Sequence, residues 1–452
     1  MNSLERRATF ALSSIFALRM LGLFMIIPVF SVSGQQYAGA TPALIGLAVG
    51  IYGLTQACLQ IPFSLWADRF SRKPLIILGL VLFALGGAVA AMSDSIYGVI
   101  IGRAIAGGGA VSAVVMALLS DITREEQRSK AMAFMGMSIG LSFVIAFSMG
   151  PWLTSIVGLS GLFWVTSIMG LLAIFMLALV PKVTRHYNVL PQGYAAQLVQ
   201  VLKMADLNRL HVSIFSLHLL LTAMFIIAPS QLIEYAGIPL AQHSWVYLPL
   251  LFLSLFVAFP SIILAEKHRK MRGIFISAIV AILCGLVIMA FGYSSQYALL
   301  LGLGLFFVAF NVMEALLPSW MAKAAPIQSK STAMGVNSSF QFLGAFAGGI
   351  LGGYLLTMNA GMAWGILAAI TVIWLFVAFT LQQPRYLSSI VVRLPDDEKI
   401  DKWTSILLGF RGIEEVVIMP EKQVAYLKVD KREIDLTTRQ ELTRLLGDEL
   451  AI

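Results

Sequence analysis

The sequence predicts an all-α polytopic membrane protein of twelve spanning helices in two six-helix halves, followed by a small α+β domain. Three observations support this prediction. Apolar residues make up 59% of the 452 residues and charged residues 12%, about half the charge of a typical soluble domain. Apolar runs of roughly 20 residues, the length that crosses a bilayer, follow one another along most of the chain. From Ser389 onward such runs are absent.

Charge distribution separates the membrane part from the C-terminal segment. Residues 1–388 contain 21 Lys and Arg against 10 Asp and Glu, and residues 389–452 contain 10 against 13. The basic excess lies in loops between helices, where membrane topology accounts for it without a nucleic-acid partner. The two cysteines, Cys58 and Cys284, stand in separate apolar runs, so neither a disulfide framework nor a Cys/His metal cluster is predicted.

Apolar runs define the predicted helices in order. The N-terminal residues precede a long apolar run without a small-residue cleavage site, which predicts an uncleaved first helix. The first half contains Ala8–Val32, Leu44–Trp66, Leu75–Met92, Tyr97–Leu119, Ala131–Thr154 and a sixth helix ending near Val180. The second half contains Leu210–Ile233, Ser244–Ala265, Ile274–Tyr293, Ala298–Met321, Thr332–Thr357 and Met362–Leu381. The predicted units are therefore an N-terminal bundle (1–181), a polar interhalf linker (182–209) and a second bundle (210–384).

Loop charges predict the orientation of the chain. The loops after the even-numbered helices hold nearly all Lys and Arg, whereas those after the odd-numbered helices hold only Asp94, Glu234 and His243. This alternation predicts that both termini are cytoplasmic. The charged run Glu266–Lys270 after helix eight repeats the pattern of Asp68–Lys73 after helix two. That repeat predicts two homologous halves.

The residue pattern of the C-terminal segment 389–452 is typical of a separate small domain. Its predicted elements are a strand Ile390–Leu394, a helix Asp396–Leu408, strands Val416–Met419 and Val424–Val429, and a helix Ile434–Leu446. This order resembles a ferredoxin-like domain of the heavy-metal-associated type, but no Cys-x-x-Cys is present, so soft-metal binding is not predicted. A domain this small is marginal alone. We expect it to be stabilised by packing against the membrane part or by self-association with a second copy.

Four ionisable residues stand out within the predicted spanning helices, namely Arg19, Arg103, His218 and Glu314, whereas His211 is expected at a helix edge. Such groups cost several kcal/mol unless they are paired or face water, which makes them functional candidates. A carboxylate removed from water takes up a proton more readily, so Glu314 is the candidate proton carrier. Asn311, one turn earlier, is a candidate to bind substrate or to hold this carboxyl. The alternative for each is a structural hydrogen bond or ion pair between helices, and for Arg19 binding of an anionic substrate is a third option.

The segment Pro62–Pro74 carries Asp68, Arg69, Arg72 and Lys73. It resembles the loop between the second and third helices of the major facilitator superfamily of transporters, with serines in place of the two family glycines. A plain basic loop that obeys the positive-inside rule is the alternative.

The resemblance implies a gating role for this segment. Asp68 would bond the start of helix eleven near Ser331 and Thr332, where the helix dipole favours an anion. Together with Arg69, Asp121 would complete a charge cluster that holds the cytoplasmic side shut.

Gly150-Pro151 on helix five resembles a motif of the drug:proton antiporter branch of the same superfamily. Ala146 stands where an upstream glycine is expected, and Gly136 and Gly140 are expected to substitute for it in part. The motif favours export, although glycines in membrane helices also serve close packing.

The resemblance implies that helices one, four, seven and ten line a central cavity, and that Arg103 acts in proton transfer or ties two helices together. It implies a proton-driven exporter of small, hydrophobic or drug-like molecules in a bacterial inner membrane, driven by the proton gradient and without a cofactor. A uniporter or sensor gated by a ligand of the C-terminal domain, and a proton symporter, remain alternatives. No Walker loop or catalytic constellation is present, so neither an ATP-driven pump nor an enzyme is predicted.

Overall fold

The computed structural model describes residues 1–69, 71–181, 194–326, 329–384, 386, 388–393, 400–419, 424–430 and 433. The first half contains α1 (Ser3–Ser33), α2 (Pro42–Arg69), α3 (Arg72–Ala91), α4 (Ile96–Gly107), α5 (Ser112–Ile122) and α6 (Glu125–Ala178). The linker between the halves contains α7 (Tyr194–Lys203). The second half contains α8 (Ala205–Glu234), α9 (His243–Lys267), α10 (Met271–Phe291), α11 (Gln296–Ala324), α12 (Lys330–Leu355) and α13 (Ala360–Phe379).

These helices make the twelve crossings that the sequence predicts. Among the described residues, ten helical segments are long and apolar enough to cross a membrane. One of them, within α6, holds both the fifth and the sixth crossing, because the chain turns at Gly158, whose φ of 68° suits glycine. Helix α12 adds the twelfth crossing. It is less apolar than the others because it is rich in Gly, Ser, Asn and Gln.

Two predicted boundaries were wrong. The fourth crossing is not one helix but α4 and α5, separated at residues 108–111, where consecutive glycines have low helix propensity. The charged segment after helix two is mostly helical rather than a loop, since α2 continues to Arg69 and α3 starts at Arg72. Pro74 then lies in the first turn of α3, a position that tolerates proline.

Glycine contacts recur at equivalent places in the two halves. Gly86 of α3 meets Gly102 of α4, and Gly285 of α10 meets Gly302 of α11, in each case close enough that an added methyl group would collide with backbone. Small residues of this kind let membrane helices approach closely. The pairs join the third to the fourth crossing and the ninth to the tenth, so the structure repeats as the loop charges predicted.

The two halves meet along α2 and α12, and we call this contact the α2–α12 interface. The facing pairs are Gly46 with Gly349, Gly50 with Phe346, and Gly53 with Phe342. A methyl group on Gly53 would stand 2.5 Å from the carbonyl oxygen of Phe342. We name the two ends of the bundle by the chain: the tail side is where α13 ends, and the opposite side is where α2 begins. The tightest glycine contacts lie toward the opposite side.

On the tail side the corresponding helix faces are apart. Gly335 precedes Phe342 by two helical turns on the same face of α12, yet no described atom lies within 4 Å of a methyl group built there. The same holds for Gly136 and Gly140 of α6. The expectation that these two glycines pack in place of the missing motif glycine was therefore wrong, because they border open space.

Aromatic side chains fill the middle of the contact between the halves. Phe143 of α6 stacks on Phe310 of α11 with centroids 5.4 Å apart, and Phe147 lies 4.1 Å from Phe225 of α8. Aromatic pairs at such distances add to the energy of apolar burial. These aromatic contacts fill the middle of the space between the two halves, between the tail side and the opposite side.

The C-terminal segment forms the small α+β domain that the sequence predicts. It consists of β1 (Ser388–Arg393), α14 (Ile400–Leu408), β2 (Ile413–Met419) and β3 (Val424–Val429). The sheet is antiparallel in the order β1-β3-β2. Leu407 of α14 packs with Leu427 and Val429 of β3 in its core. The predicted helix Ile434–Leu446 lies outside the described residues, and the ferredoxin-like classification stays a prediction.

This domain contacts the second half of the bundle on the tail side. The Arg269 guanidinium, in the turn between α9 and α10, donates to both oxygens of Asp430 at 3.0 and 2.7 Å. The Lys428 ammonium donates to the carbonyl oxygen of Ala325 after α11. Tyr386, in the connecting segment, donates to the carbonyl oxygen of Ala265 and lies beneath Arg269. The expected support from the membrane part is thus present in the structure.

Candidate functional site

His218 of α8 and Glu314 of α11 face each other inside the second half. The distance from His218 Nε2 to Glu314 Oε2 is 3.6 Å. His218 Nδ1 lies 3.1 Å from the carbonyl oxygen of Ile214, one turn earlier in α8. Because a carbonyl only accepts, this bond assigns the ring hydrogen of neutral His218 to Nδ1. Nε2 is then the basic nitrogen, directed at the carboxyl.

A third side chain, Gln341 of α12, completes this group. Its amide Nε2 lies 2.8 Å from His218 Nε2 and donates to Glu314 Oε1 at 3.4 Å. Gln341 was not among the predicted site residues, because a neutral amide stands out less in an apolar helix than an ionisable group does. The signal was present, since an amide in a membrane helix needs a hydrogen-bonding partner. We call His218, Glu314 and Gln341 the polar triad.

The Glu314 carboxyl combines a buried oxygen with access to open space. Its Oε2 atom is buried and has no hydrogen bond, although it faces His218. The side chain as a whole is 40% exposed, against 8% for His218. Partners on α8 and α12 hold the carboxyl on the inner face of α11 rather than on the lipid-facing side. The carboxyl is therefore reachable from open space while it stays on the inner face of the bundle.

Asn311 lies near this group but has a different partner from the one expected. Its amide donates to Ser254 Oγ of α9 at 2.6 Å and to the carbonyl oxygen of Phe307 at 3.1 Å. These bonds join α11 to α9. The described contacts therefore do not give Asn311 the predicted bond to Glu314.

Arg19 and Arg103 form a second polar group in the first half. The Arg19 guanidinium donates to Ser112 Oγ at 2.7 Å, to the Tyr52 hydroxyl at 3.0 Å and to Gln56 Oε1. Arg103 donates to two backbone carbonyls of α2, and its guanidinium lies 5.8 Å from the Tyr52 ring centroid. Both arginines are buried, and all these acceptors are neutral. The described contacts therefore place the four ionisable candidates in two separate groups.

The predicted gating residues are partly described. Arg72 and Asp121 form an ion pair at 3.1 Å that joins α3 to α5, and Lys73 donates to the carbonyl oxygen of Val180. The side chains of Asp68 and Arg69 lie outside the described part of the structure, so their predicted contacts are not tested. The Thr332 hydroxyl donates to Gln197 of α7 at 2.9 Å.

Gly150 of the Gly150-Pro151 motif lies against α1. A methyl group on this glycine would stand 2.5 Å from the carbonyl oxygen of Met25. Pro151 follows within the continuous helix α6. The motif thus sets a close contact between α1 and α6. Within the described residues, no three His, Cys, Asp or Glu side chains converge on a metal-sized site.

Comparisons with known proteins identify the family. A sequence profile described as the Major Facilitator Superfamily matches residues 12–349, well over half of the chain. The chain belongs to this superfamily. It is 43% identical over 449 residues to the inner membrane transport protein YajR of Escherichia coli K12, covering 98% of this chain and 97% of the relative.

More distant relatives agree with this assignment. The multidrug resistance protein MdtH of Aeromonas hydrophila is 27% identical over 356 residues, covering 76% of this chain and 87% of MdtH. The solved structure of a D-xylose–proton symporter is 14% identical and superposes with a TM-score of 0.69 over 84% of this chain and 99% of that one. That likeness shows the fold alone. The protein is a multi-pass membrane transporter of this superfamily and not an enzyme.

Proposed function

We propose that this transporter exports small molecules in exchange for protons by alternating access, with Glu314 as the proton carrier. The polar triad is the observation that carries the proposal. It places a carboxyl with an unbonded buried oxygen 3.6 Å from an imidazole nitrogen, next to the contact between the halves. Carboxyl and imidazole side chains that lie next to each other inside a membrane protein are typical of proton relays.

The chemistry of the triad supports exchange. A proton that enters from the open side neutralises Glu314 or charges His218, and either change alters the attraction between the two side chains. A substrate that carries positive charge competes with the proton for the same carboxyl. Phe310, which packs edge-on to the His218 ring at 5.9 Å, offers an apolar surface beside the charge. Competition at one site is the simplest physical basis for coupling proton entry to substrate exit.

The open tail side supports the same proposal. Loop charges favour cytoplasmic termini, so the tail side would face the cytoplasm. The glycine contacts near the opposite side then close the periplasmic end, and the uncrowded face of α12 at Gly335 supports an opening toward the cytoplasm. In this state an exporter loads its substrate. Similarity to the MdtH drug-resistance proteins and the Gly150-Pro151 motif add support for export over symport.

A second candidate function is regulation through the C-terminal domain. The favouring observation is its attachment to the ends of α9 and α11, where a ligand of the domain would alter the pair Arg269–Asp430 or the bond from Lys428 to Ala325. Deleting residues 389–452 tests this candidate. Unchanged transport rates and substrate dependence after the deletion would remove it.

Proton movement in everted membrane vesicles tests the main proposal. The vesicles are energised to an acidic interior and challenged with lipophilic cations and small metabolites while an internal pH dye is followed. Proton release by a compound with the native chain, and its loss with Glu314→Gln, is the expected result. Asp206→Asn is the matched control, because it neutralises an exposed carboxylate that pairs with Arg209 outside the triad. Proton release that persists in Glu314→Gln would overturn the role of Glu314.

A further inference from the structure

We infer that Gln341 is a positioning residue that transmits protonation of the His218–Glu314 pair to the α2–α12 interface. The inference rests on the proposed proton coupling and adds the route from the proton site to the contact between the halves. Gln341 belongs to the helix that forms that contact, whereas His218 and Glu314 belong to α8 and α11. It is thus the member of the triad whose own helix forms the α2–α12 interface, whereas α8 and α11 reach the first half through aromatic contacts with α6.

The orientation of the Gln341 amide depends on where the proton is. In the structure its NH₂ group faces two acceptors, His218 Nε2 at 2.8 Å and Glu314 Oε1 at 3.4 Å. His218 Nε2 accepts from the amide only while this nitrogen carries no proton, whereas Glu314 Oε1 can accept whether the carboxyl is ionised or protonated at Oε2. A proton on His218 Nε2 turns that atom into a donor, so the amide must rotate to present its oxygen or move away. Protonation of His218 therefore selects a different position of the Gln341 side chain.

The next residue carries this change to the first half. The carbonyl oxygen of Phe342 is the atom that faces Gly53 of α2, so close that Gly53 has no room for a methyl group. Successive residues of a helix point about 100° apart, so α12 presents Gln341 to α8 and α11 while Phe342 faces α2. A tightly packed contact of this kind changes between discrete arrangements rather than by gradual deformation. Displacement of Gln341 therefore acts on the contact at Gly53.

Hydrogen bonds and a cation–π contact fix the part of α2 that belongs to the α2–α12 interface. Tyr52, the neighbour of Gly53, accepts from Arg19 and lies under Arg103. The two polar groups of the protein thus stand beside the same contact, one through Tyr52 and the other through Gln341. Because the arginine group has neutral acceptors in α2 and α5, it does not change with the protonation of Glu314. The moving partner is then α12.

Side chains on other helices also surround the triad and bear on how its contacts depend on pH. Helix α9 contributes Ser254 through Asn311, and α6 contributes Phe143 through Phe310; neither of these side chains titrates. Helix α8 contributes a second histidine, His211, which stacks on Phe340 with centroids 5.2 Å apart. Since Phe340 precedes Gln341, His211 is a competing source of pH dependence. The experiment must separate the two.

The test measures opening of the tail side against pH by electron spin resonance between two labels. The labels are attached through Met137→Cys and Ile263→Cys, exposed positions on α6 and α9 (66% and 59%), in a background with Cys58→Ser and Cys284→Ser. The full chain is reconstituted in nanodiscs and titrated through the range in which histidine changes charge. The background protein is expected to show a pH-dependent ratio of short to long distances, and Glu314→Gln is expected to abolish it.

Gln341→Leu is expected to reduce the pH-dependent change in that ratio about fivefold or more, the lower range of coupling between sites. Gln231→Leu is the matched control, because it removes a buried amide of α8 that accepts from Trp364 instead. His211→Phe is expected to leave the response intact. If Gln341→Leu does not fold, Gln341→Asn decides, because its shorter amide cannot reach both acceptors and should displace the midpoint.

The outcomes separate the two proposals. A response that is lost in Glu314→Gln but unchanged in Gln341→Leu, or in a folded Gln341→Asn when the leucine variant fails, overturns the inference alone. Loss of the response in His211→Phe also overturns it, since the proton signal would then reach α12 by another residue. If the background protein shows no response, or if Glu314→Gln retains it, the proposed proton coupling fails and the inference fails with it.

Discussion

His218 Nε2 faces Glu314 Oε2 at 3.6 Å without a hydrogen bond between them. The distance is longer than a hydrogen bond and shorter than the space that a bridging water needs. A proton placed between the two atoms would draw them together, because a charged imidazolium and a carboxylate attract strongly away from water. Between neutral His218 and ionised Glu314, one added proton would therefore form an ion pair.

His218→Gln tests whether the imidazole takes part in coupling. The amide can still bond to Gln341 but cannot accept a proton, so substrate-induced proton release in everted vesicles is expected to fall about tenfold. His243→Gln is the control, since His243 is also buried and bonds the carbonyl oxygen of Ile238 at 3.0 Å near the opposite side. Equal proton release by the two variants would assign His218 a packing role.

Gly150 and Gly140 make contrasting predictions about stability. Gly150→Val forces a side chain against the Met25 carbonyl, and overpacking of this kind costs about 1–3 kcal/mol. Gly140→Val adds the same group where no described atom lies within 4 Å. Thermal unfolding in detergent, followed by tryptophan fluorescence, should show a lower midpoint for Gly150→Val alone. Similar midpoints for both variants would mean that α1 and α6 separate more easily than their packing indicates.

The fold was largely predictable because membrane burial leaves a strong signal. Hydrophobic length gave the twelve crossings, and loop charge gave the repeat of the halves. The break between α4 and α5 was missed, since a continuous apolar run does not indicate where a helix is interrupted. The turn at Gly158 was missed as well, because a single glycine turns the chain within α6 where the sequence predicts a loop between two helices.

The site was only half predictable. Glu314 and His218 could be found because ionisable groups are rare inside membrane helices. Gln341 was not predicted because a neutral amide stands out less than a charge in an apolar helix, and the grouping of Arg19 with Arg103 could not be predicted because it depends on which face of each helix turns inward. Their real partners, Tyr52 and Gln56 among them, are ordinary polar residues in an apolar sequence. Only three-dimensional packing connects them.

Gly46→Leu is expected to shift the transporter away from the state described here. Gly46 lies against the backbone of Gly349 and has no room for a side chain, so the opposite side cannot close around leucine. The tail side should close instead, and the distance between labels at Met137→Cys and Ile263→Cys should shorten. Gly365→Leu is the control, since no described atom lies within 4 Å of a methyl group at that position of α13. A shortened distance in the control would point to a general disturbance of the bundle.

Asp430→Asn is expected to loosen the C-terminal domain from the bundle. The carboxylate receives two charge-assisted bonds from Arg269, whose φ of 55° is uncommon for a residue other than glycine. Removing the charge should cost about 1 kcal/mol of docking energy, the upper range for accessible ion pairs. Amide hydrogen exchange of residues 424–430 should then rise about fivefold relative to the native chain. Asp206→Asn, which breaks the separate pair with Arg209, is the control.

The same contact predicts a response to salt but not to pH near neutrality. Hydrogen bonding to Asp430 raises the pKa of Arg269, so the guanidinium stays charged and the contact persists as pH rises past neutrality. Ionic strength, in contrast, screens an accessible pair. Hydrogen exchange of residues 424–430 should therefore increase with added salt in the native chain and much less in Asp430→Asn, where the attraction is already gone. Equal salt effects in both proteins would mean that the bond from Lys428 to the carbonyl oxygen of Ala325 holds the domain to the bundle instead.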